Sequence, residues 1–252
     1  MFDLRLIKAD ALKLGRRYGM LAISLLLTVG IAAIVYSVTA IQHLGNATKY
    51  GPAGGLHNYQ GAIGFLSVMT FVVAAIVGST AGSQDIETGV FRDLAATGRS
   101  RVALFGSRIT GALVIVLPIV ALTAVFTAGM SIALAGSLAA PTAGAILTGT
   151  LALVAAGTLG CAVAVGLAAL IGSRGPVIAM LLAFELAISP LLSSIGFLGV
   201  VREVIPSNAL DRIANAPHLG VPMALGTAIV VLLAWAGAAF AAGAWRTRTQ
   251  EI

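Results

Sequence analysis

Only nine of the 252 residues are acidic, so each carboxylate is a candidate for chemistry. Glu185 stands in "MLLAFELAISPLL", deep in an apolar run. A charge held there costs several kcal/mol near a bilayer centre, which makes an intramembrane acid a functional candidate by default. Glu185 reads either as an ionisable group on a transport path or as a neutral glutamate hydrogen-bonded across helices. Pro190 frees a backbone carbonyl close by, and Ser189, Ser193 and Ser194 extend the polar seam. Three further acids, Asp85, Glu87 and Asp93, fall in "SQDIETGVFRDLAATGRSRVALFGSR", the charged insert Ser83–Arg108. They lack the repeated Asp-x-x-Asp spacing that would chelate a divalent ion. His43, His57 and His218 have no metal-ligand spacing, and the single Cys161 can build neither an intrachain disulfide nor a thiolate metal site. HExxH, GxSxG and the GxxxxGK[ST] phosphate loop are all missing, and the three lysines, Lys8, Lys13 and Lys49, follow no glycine-rich turn. No catalytic residue and no metal ligand is expected, and ATP hydrolysis is not expected in this chain.

The elements that position these residues follow from composition. The chain is 59% hydrophobic and 10% charged, against about 25% charged in soluble domains. So few charges cannot cover a water-facing surface, and the main solvent is lipid. A helix needs about 20 apolar residues to cross the hydrocarbon core. Six stretches qualify: Met20–Ile41, Gly61–Ala81, Val102–Leu122 running on toward Met130, Gly144–Ile171, Pro176–Leu198 and Pro222–Ala244. Their continuous apolarity, without two-residue alternation, argues for helices over barrel strands. The expectation is one all-α transmembrane domain over residues 1–252. Pro118 falls inside the third span, and Gly78 and Gly82 form a GxxxG pair suited to packing within the chain.

The net charge of +6 marks loops facing the cytoplasm rather than a nucleic-acid surface, because cytoplasmic connections collect Lys and Arg. With the six spans, twelve of the fifteen basic residues fall on one side: five before the first span, Arg92, Arg99, Arg101 and Arg108 in the insert, Arg174, and the tail residues Arg246 and Arg248. Lys49, Arg202 and Arg212 fall on the other. This imbalance puts both termini and the insert in the cytoplasm, with the protein multi-pass in the cytoplasmic (inner) membrane. The apolar run from Met20 is too long for a signal-peptide core. Before it, Leu4, Ile7, Ala11, Leu14 and Tyr18 share one helical stripe opposite Arg5, Lys13, Arg16 and Arg17. Residues 1–18 therefore read as an amphipathic lead-in helix at the membrane interface. "QHLGNATKYGPAGGLHNYQ" reads as an ordinary outer loop. The outer segment Val200–Pro217 reads as two short helical pieces, bounded by Pro206 and Pro217, that dip into the outer interface.

Within the insert, Ile86, Val90, Phe91 and Leu94 recur at helical spacing, and Thr97–Gly98 supplies a stop. The periodicity predicts a helix over 84–98 that lies on the inner leaflet or in the groove of a partner. "DIETGVFRDLAATGRSRVALFGSR", between the second and third of six spans, resembles the inner loop of ABC-2 type transporter permeases. Glu87, Gly89, Leu94, Gly98 and Arg101 occupy the positions of that family's acidic residue, Gly/Thr step and "Leu…x-Gly/Pro-x-x-Arg" segment. The resemblance extends to the lead-in elbow helix, six spans, cytoplasmic termini and a helical segment between spans five and six. It implies the permease subunit of an ABC exporter, dimeric with a second permease copy and bound to a separate cassette ATPase. ATP and Mg would sit on that ATPase, with no cofactor in this chain. Ile86, Glu87, Val90, Phe91, Arg92, Leu94, Arg99 and Arg101 would form the coupling surface, and Glu185, Ser189, Pro190 and Ser193 would border the substrate path. With so little charge and no large outer domain, an amphipathic or apolar cargo (drug, lipid or peptide) is expected. Two rivals stand beside this reading: a proton-coupled secondary transporter using Glu185, and a membrane-embedded lipid-modifying enzyme.

Overall fold

The computed structural model describes residues 4–90, 100–215 and 221–249. The elements are α1 (Leu4–Gly15), α2 (Tyr18–Gly45), α3 (Leu56–Glu87), α4 (Arg101–Ala133), α5 (Ala143–Ile171), α6 (Arg174–Ser194), a 3₁₀ stretch Gly196–Val204, α7 (Pro206–Ala214) and α8 (Leu225–Thr249). Six of these helices, α2 to α6 and α8, are long and apolar enough to cross a membrane, and no strand occurs among the described residues. The protein is an all-α, six-span membrane protein.

Apolar windows mark what lipid requires, whereas helix ends fall where the backbone stops. α3 shows the difference. It runs well past Gly61–Ala81 at both ends, between Gly55 (φ 92°) and Gly89 (φ 75°). Both residues hold left-handed backbone that a side chain would resist. Residues 84–87 therefore belong to the second span, and Gly89 separates Ile86 from Val90. Residues 91–98 of the expected helix over 84–98 lie outside the described ones. The fifth span ends at Ser194 rather than Leu198, because Ile195 turns extended and Gly199 takes φ 50°.

The core lies between α3 and α5. Neighbouring helices bury 67% of the apolar window in each of these, against 11% in α8. Small residues allow this approach. A Cβ added at Gly78 would lie 2.9 Å from the Ala164 Cβ, and one at Gly82 would lie 2.7 Å from the Ala168 Cβ. From the facing side, a Cβ at Gly160 would lie 2.7 Å from that of Ala74. The GxxxG pair thus packs within the chain. At one end of the bundle, Lys13 of α1 meets Asp85 of α3, Glu87 meets Arg174 of α6, and Arg101 of α4 donates to the Arg248 carbonyl of α8. Lys13, Arg101, Arg174 and Arg248 therefore gather at a shared end, with the last turn of α1 and the end of α8.

Replacing Gly82 by Leu forces α3 and α5 apart. Overpacking of a close seam costs about 1–3 kcal/mol. Thermal unfolding of the purified protein in one detergent is expected to show a lowered Tm for Gly82→Leu and an unchanged Tm for Gly45→Leu, where an added Cβ meets nothing within 4 Å.

Candidate functional site

The acids of the insert are all engaged where they are described. Asp85, with a side chain 9% exposed, accepts a hydrogen bond from the Lys13 Nζ at 3.0 Å and faces the Arg108 Nη2 at 3.6 Å. Arg108 is 2% exposed and also donates from Nη1 to the Gly82 carbonyl at 3.1 Å. On α1, one turn before Lys13, Asp10 accepts from the Ser107 hydroxyl at 2.9 Å. Its own distance to Lys13 is 3.8 Å. Gly111 makes the contact possible, since a Cβ there would lie 2.7 Å from the Asp10 Cβ and hold α1 off α4. Burial lifts the Asp10 carboxyl above its ordinary 3.8, opposed by the Ser107 hydroxyl and by Lys13. The folded state therefore keeps a proton at Asp10 more readily than the unfolded chain, and that contribution fades as pH rises.

Charge explains why the cluster holds together. Arg108 lies about two turns inside α4, where an unanswered cation would be costly. Asp85 and Asp10 supply the opposite charge from two other helices, so α1, α3 and α4 are clamped by one polar knot. In the sequence the knot brackets the 88–100 connection, with Asp85 before it and Arg108 after it. Glu87 goes elsewhere. Its Oε1 accepts the Arg174 backbone N–H at 2.7 Å, a cap on the first turn of α6. That bond ties the end of the second span to the start of the fifth. Ile86 packs half-buried beside Gly172, Val90 is 39% exposed, and Arg101 is half-buried at the head of α4. Phe91, Arg92, Leu94 and Arg99 lie outside the described residues.

The intramembrane candidates form a second, separate seam. Pro190 cannot donate to the α6 ladder, and just before it the helix widens into a π turn, Phe184–Ile188. Glu185, Ser189 and Ser193, four residues apart, are 2%, 0% and 3% exposed and face α7. The Ser189 and Ser207 hydroxyls bond to each other, and the Ser193 hydroxyl donates to the Asn208 Oδ1 at 3.1 Å. Asn208 donates onward to the Arg202 carbonyl at 2.7 Å, and the Arg202 Nη1 returns to the Ser193 carbonyl at 3.4 Å. Glu185 feels the like charge of Asp211 on α7, and its Oε1 has no hydrogen-bond partner among the described residues. Leu210 is buried and Ile213 partly buried against the core, while Trp235 of α8 donates to the Val204 carbonyl at 3.0 Å. The seam thus fastens the α7 segment onto α6. Pro217 and His218 lie outside the described residues.

The sequence reading counted Lys13 and Arg108 only as loop charge and weighed Asp85 only as a metal ligand. Pairing an acid at the end of span two with a cation inside the start of span three would have found the knot. Asp10 gave a fainter signal, as the one acid of α1. Comparison of the chain with protein-family models and with curated proteins finds no match.

Asp85→Ala leaves the buried Arg108 without the α3 carboxylate that answers its charge, and breaking a buried pair in this way costs about 3 kcal/mol. Lys13 is 39% exposed, so Lys13→Ala costs under about 1 kcal/mol. Denaturation of the two variants side by side is expected to show that order. Equal losses would mean that Arg108 does not depend on Asp85.

Proposed function

We infer that this chain is the membrane-embedded permease subunit of an ATP-driven ABC exporter of the ABC-2 type. The observation that carries the reading is the pairing of Asp85, before the 88–100 connection, with Arg108 after it and with Lys13 of α1. The resemblance of the insert to the family's inner loop supports the same reading. A cassette ATPase that engages this connection would act on α1, α3 and α4 together, and through Glu87 on α6. Its nucleotide-driven closure would then tilt the spans between inward- and outward-facing arrangements, around a path shared with a second permease copy. The twelve-to-three division of basic residues supports an inner-membrane protein with both termini in the cytoplasm. The α7 segment would close the outer end of the path, and the cargo class is amphipathic or apolar.

A second reading, proton-coupled transport through Glu185, draws on its buried Oε1 beside Asp211. Glu185→Gln separates the two. Transport that persists in this variant and still requires ATP supports the exporter, whereas transport lost together with its pH dependence supports proton coupling. The lipid-enzyme reading, which would use Glu185 or the insert's acids, gains nothing from Asp85 and Glu87, since Asp85 is bound by Lys13 and Arg108 and Glu87 caps α6.

The test is copurification with a cassette ATPase. A buried aromatic anchor typically contributes about 2 kcal/mol or more to a small interface, roughly a thirtyfold change in affinity. Phe91→Ala is expected to lose the ATPase from pull-downs while its Tm stays at the wild-type value. Retention of the ATPase by this variant, with normal transport, would remove Phe91 as the anchor and the insert as the coupling element.

A further inference from the structure

At the end of the bundle opposite the ionic knot, α2 and α3 diverge and leave a cleft of about 660 Å³. That volume falls in the range of small-molecule sites. Its floor is apolar, built from Ile31, Val35, Phe65 and Leu66, and its roof carries Gln42, Lys49 and His57. From Ile31 to Gln42 a helix rises about 16 Å, roughly half the hydrocarbon thickness. The cleft therefore has the depth of one leaflet, greasy below and polar at the water line.

The roof is organised before anything binds. His43 donates from Nδ1 to the Tyr50 carbonyl at 2.7 Å, and Asn58 donates to the carbonyls of Pro52 and Gly54 at 2.9 and 2.8 Å. Gly54, Gly55 and Leu56 donate from their backbone to Leu134, Ser131 and Ala139. The Lys49 ammonium lies 5.2 Å from the centre of the Tyr50 ring, at the cleft mouth. None of the lining residues is acidic, and the chain has no acid at all between Asp10 and Asp85. A fixed roof with a cation and an imidazole, over an apolar slot one leaflet deep, has a definite complement.

The geometry points to a binding site for an anionic amphiphile, with its chain between α2 and α3 and its headgroup at Lys49 and His57. The site is independent of the exporter reading and would stand if that reading failed. The slot accepts one chain, whether it comes from a single-chain lipid or from one arm of a bilayer phospholipid.

The experiment uses the full-length protein in phosphatidylcholine nanodiscs and lysophosphatidylglycerol with a diazirine in its chain. Adducts are mapped by mass spectrometry and compared with those of the neutral monoacylglycerol bearing the same chain. Adducts on Val35, Phe65 and Leu66 are expected, at least fivefold stronger for the anionic probe. Lys49→Ala should remove that preference and Lys49→Arg should keep it. An added Cβ at Gly61, which lines the cleft, meets nothing within 4 Å, so Gly61→Leu fills the slot without crowding the packing. It should abolish the floor adducts at an unchanged Tm. A second probe, two-chain phosphatidylglycerol with the diazirine in one chain, distinguishes a seated bilayer lipid from a single-chain ligand, and floor labelling by either supports the site. Adducts spread evenly over the lipid-facing helices, equal floor labelling by the neutral probe, or labelling undiminished in a folded Gly61→Leu protein would overturn it.

Discussion

The Asp85 carboxylate is the point at which this bundle has least freedom. Its neighbour Arg108 is buried inside α4, and a buried cation without an anion would be expelled or would unfold its surroundings. Answering that charge fixes the distance between α3 and α4, and the shared use of Asp85 by Lys13 fixes α1 against both. The glycines follow from the same demand. Gly111 lets α1 come close enough for Asp10 to reach Ser107, and Gly78 and Gly82 hold α3 against α5 so that Asp85 stays at the bundle's end. Small residues and buried charge thus form one construction here.

The two ends of the molecule are built differently. The basic end is joined by side-chain charge between helices distant in sequence, so a displacement of the 88–100 connection would reach three helices at once. The opposite end is joined mainly by backbone. The loop from Asn46 to Gly55 docks through its amides on the last turn of α4 and the residue that follows it, and α7 is fastened to α6 through serine and asparagine. Uncharged bonds of this kind organise a surface without filling it with ion pairs. Lys49 and His57 consequently remain at the cleft mouth as the polar groups a ligand would meet.

Some of this was legible in the sequence and some was not. Hydropathy located all six spans, because lipid imposes a length that composition must meet. It misjudged their ends, since a helix continues through polar residues such as Ser83–Glu87 until a residue like Gly89 stops it. The seam on α6 was partly readable, because Glu185, Ser189 and Ser193 recur every four residues. Their partners Ser207 and Asn208 were not, for they belong to a segment that periodicity alone could not dock. The roof over the cleft looked like an ordinary glycine-rich loop. The role of Gly54 and Gly55 depends on backbone meeting backbone across distant elements, and no side-chain pattern encodes that.

The central claim is that the connection between Asp85 and Arg108 is where an ATP-hydrolysing partner grips the bundle. The most direct measurement places a photo-crosslinking amino acid at Leu94 in living cells and identifies the adduct by mass spectrometry. The account predicts one dominant protein adduct, a cassette ATPase, that disappears when the same probe is moved to the α8 position Leu233, which is 66% exposed. An adduct with lipid alone, or with a protein on the outer side of the membrane, would contradict it.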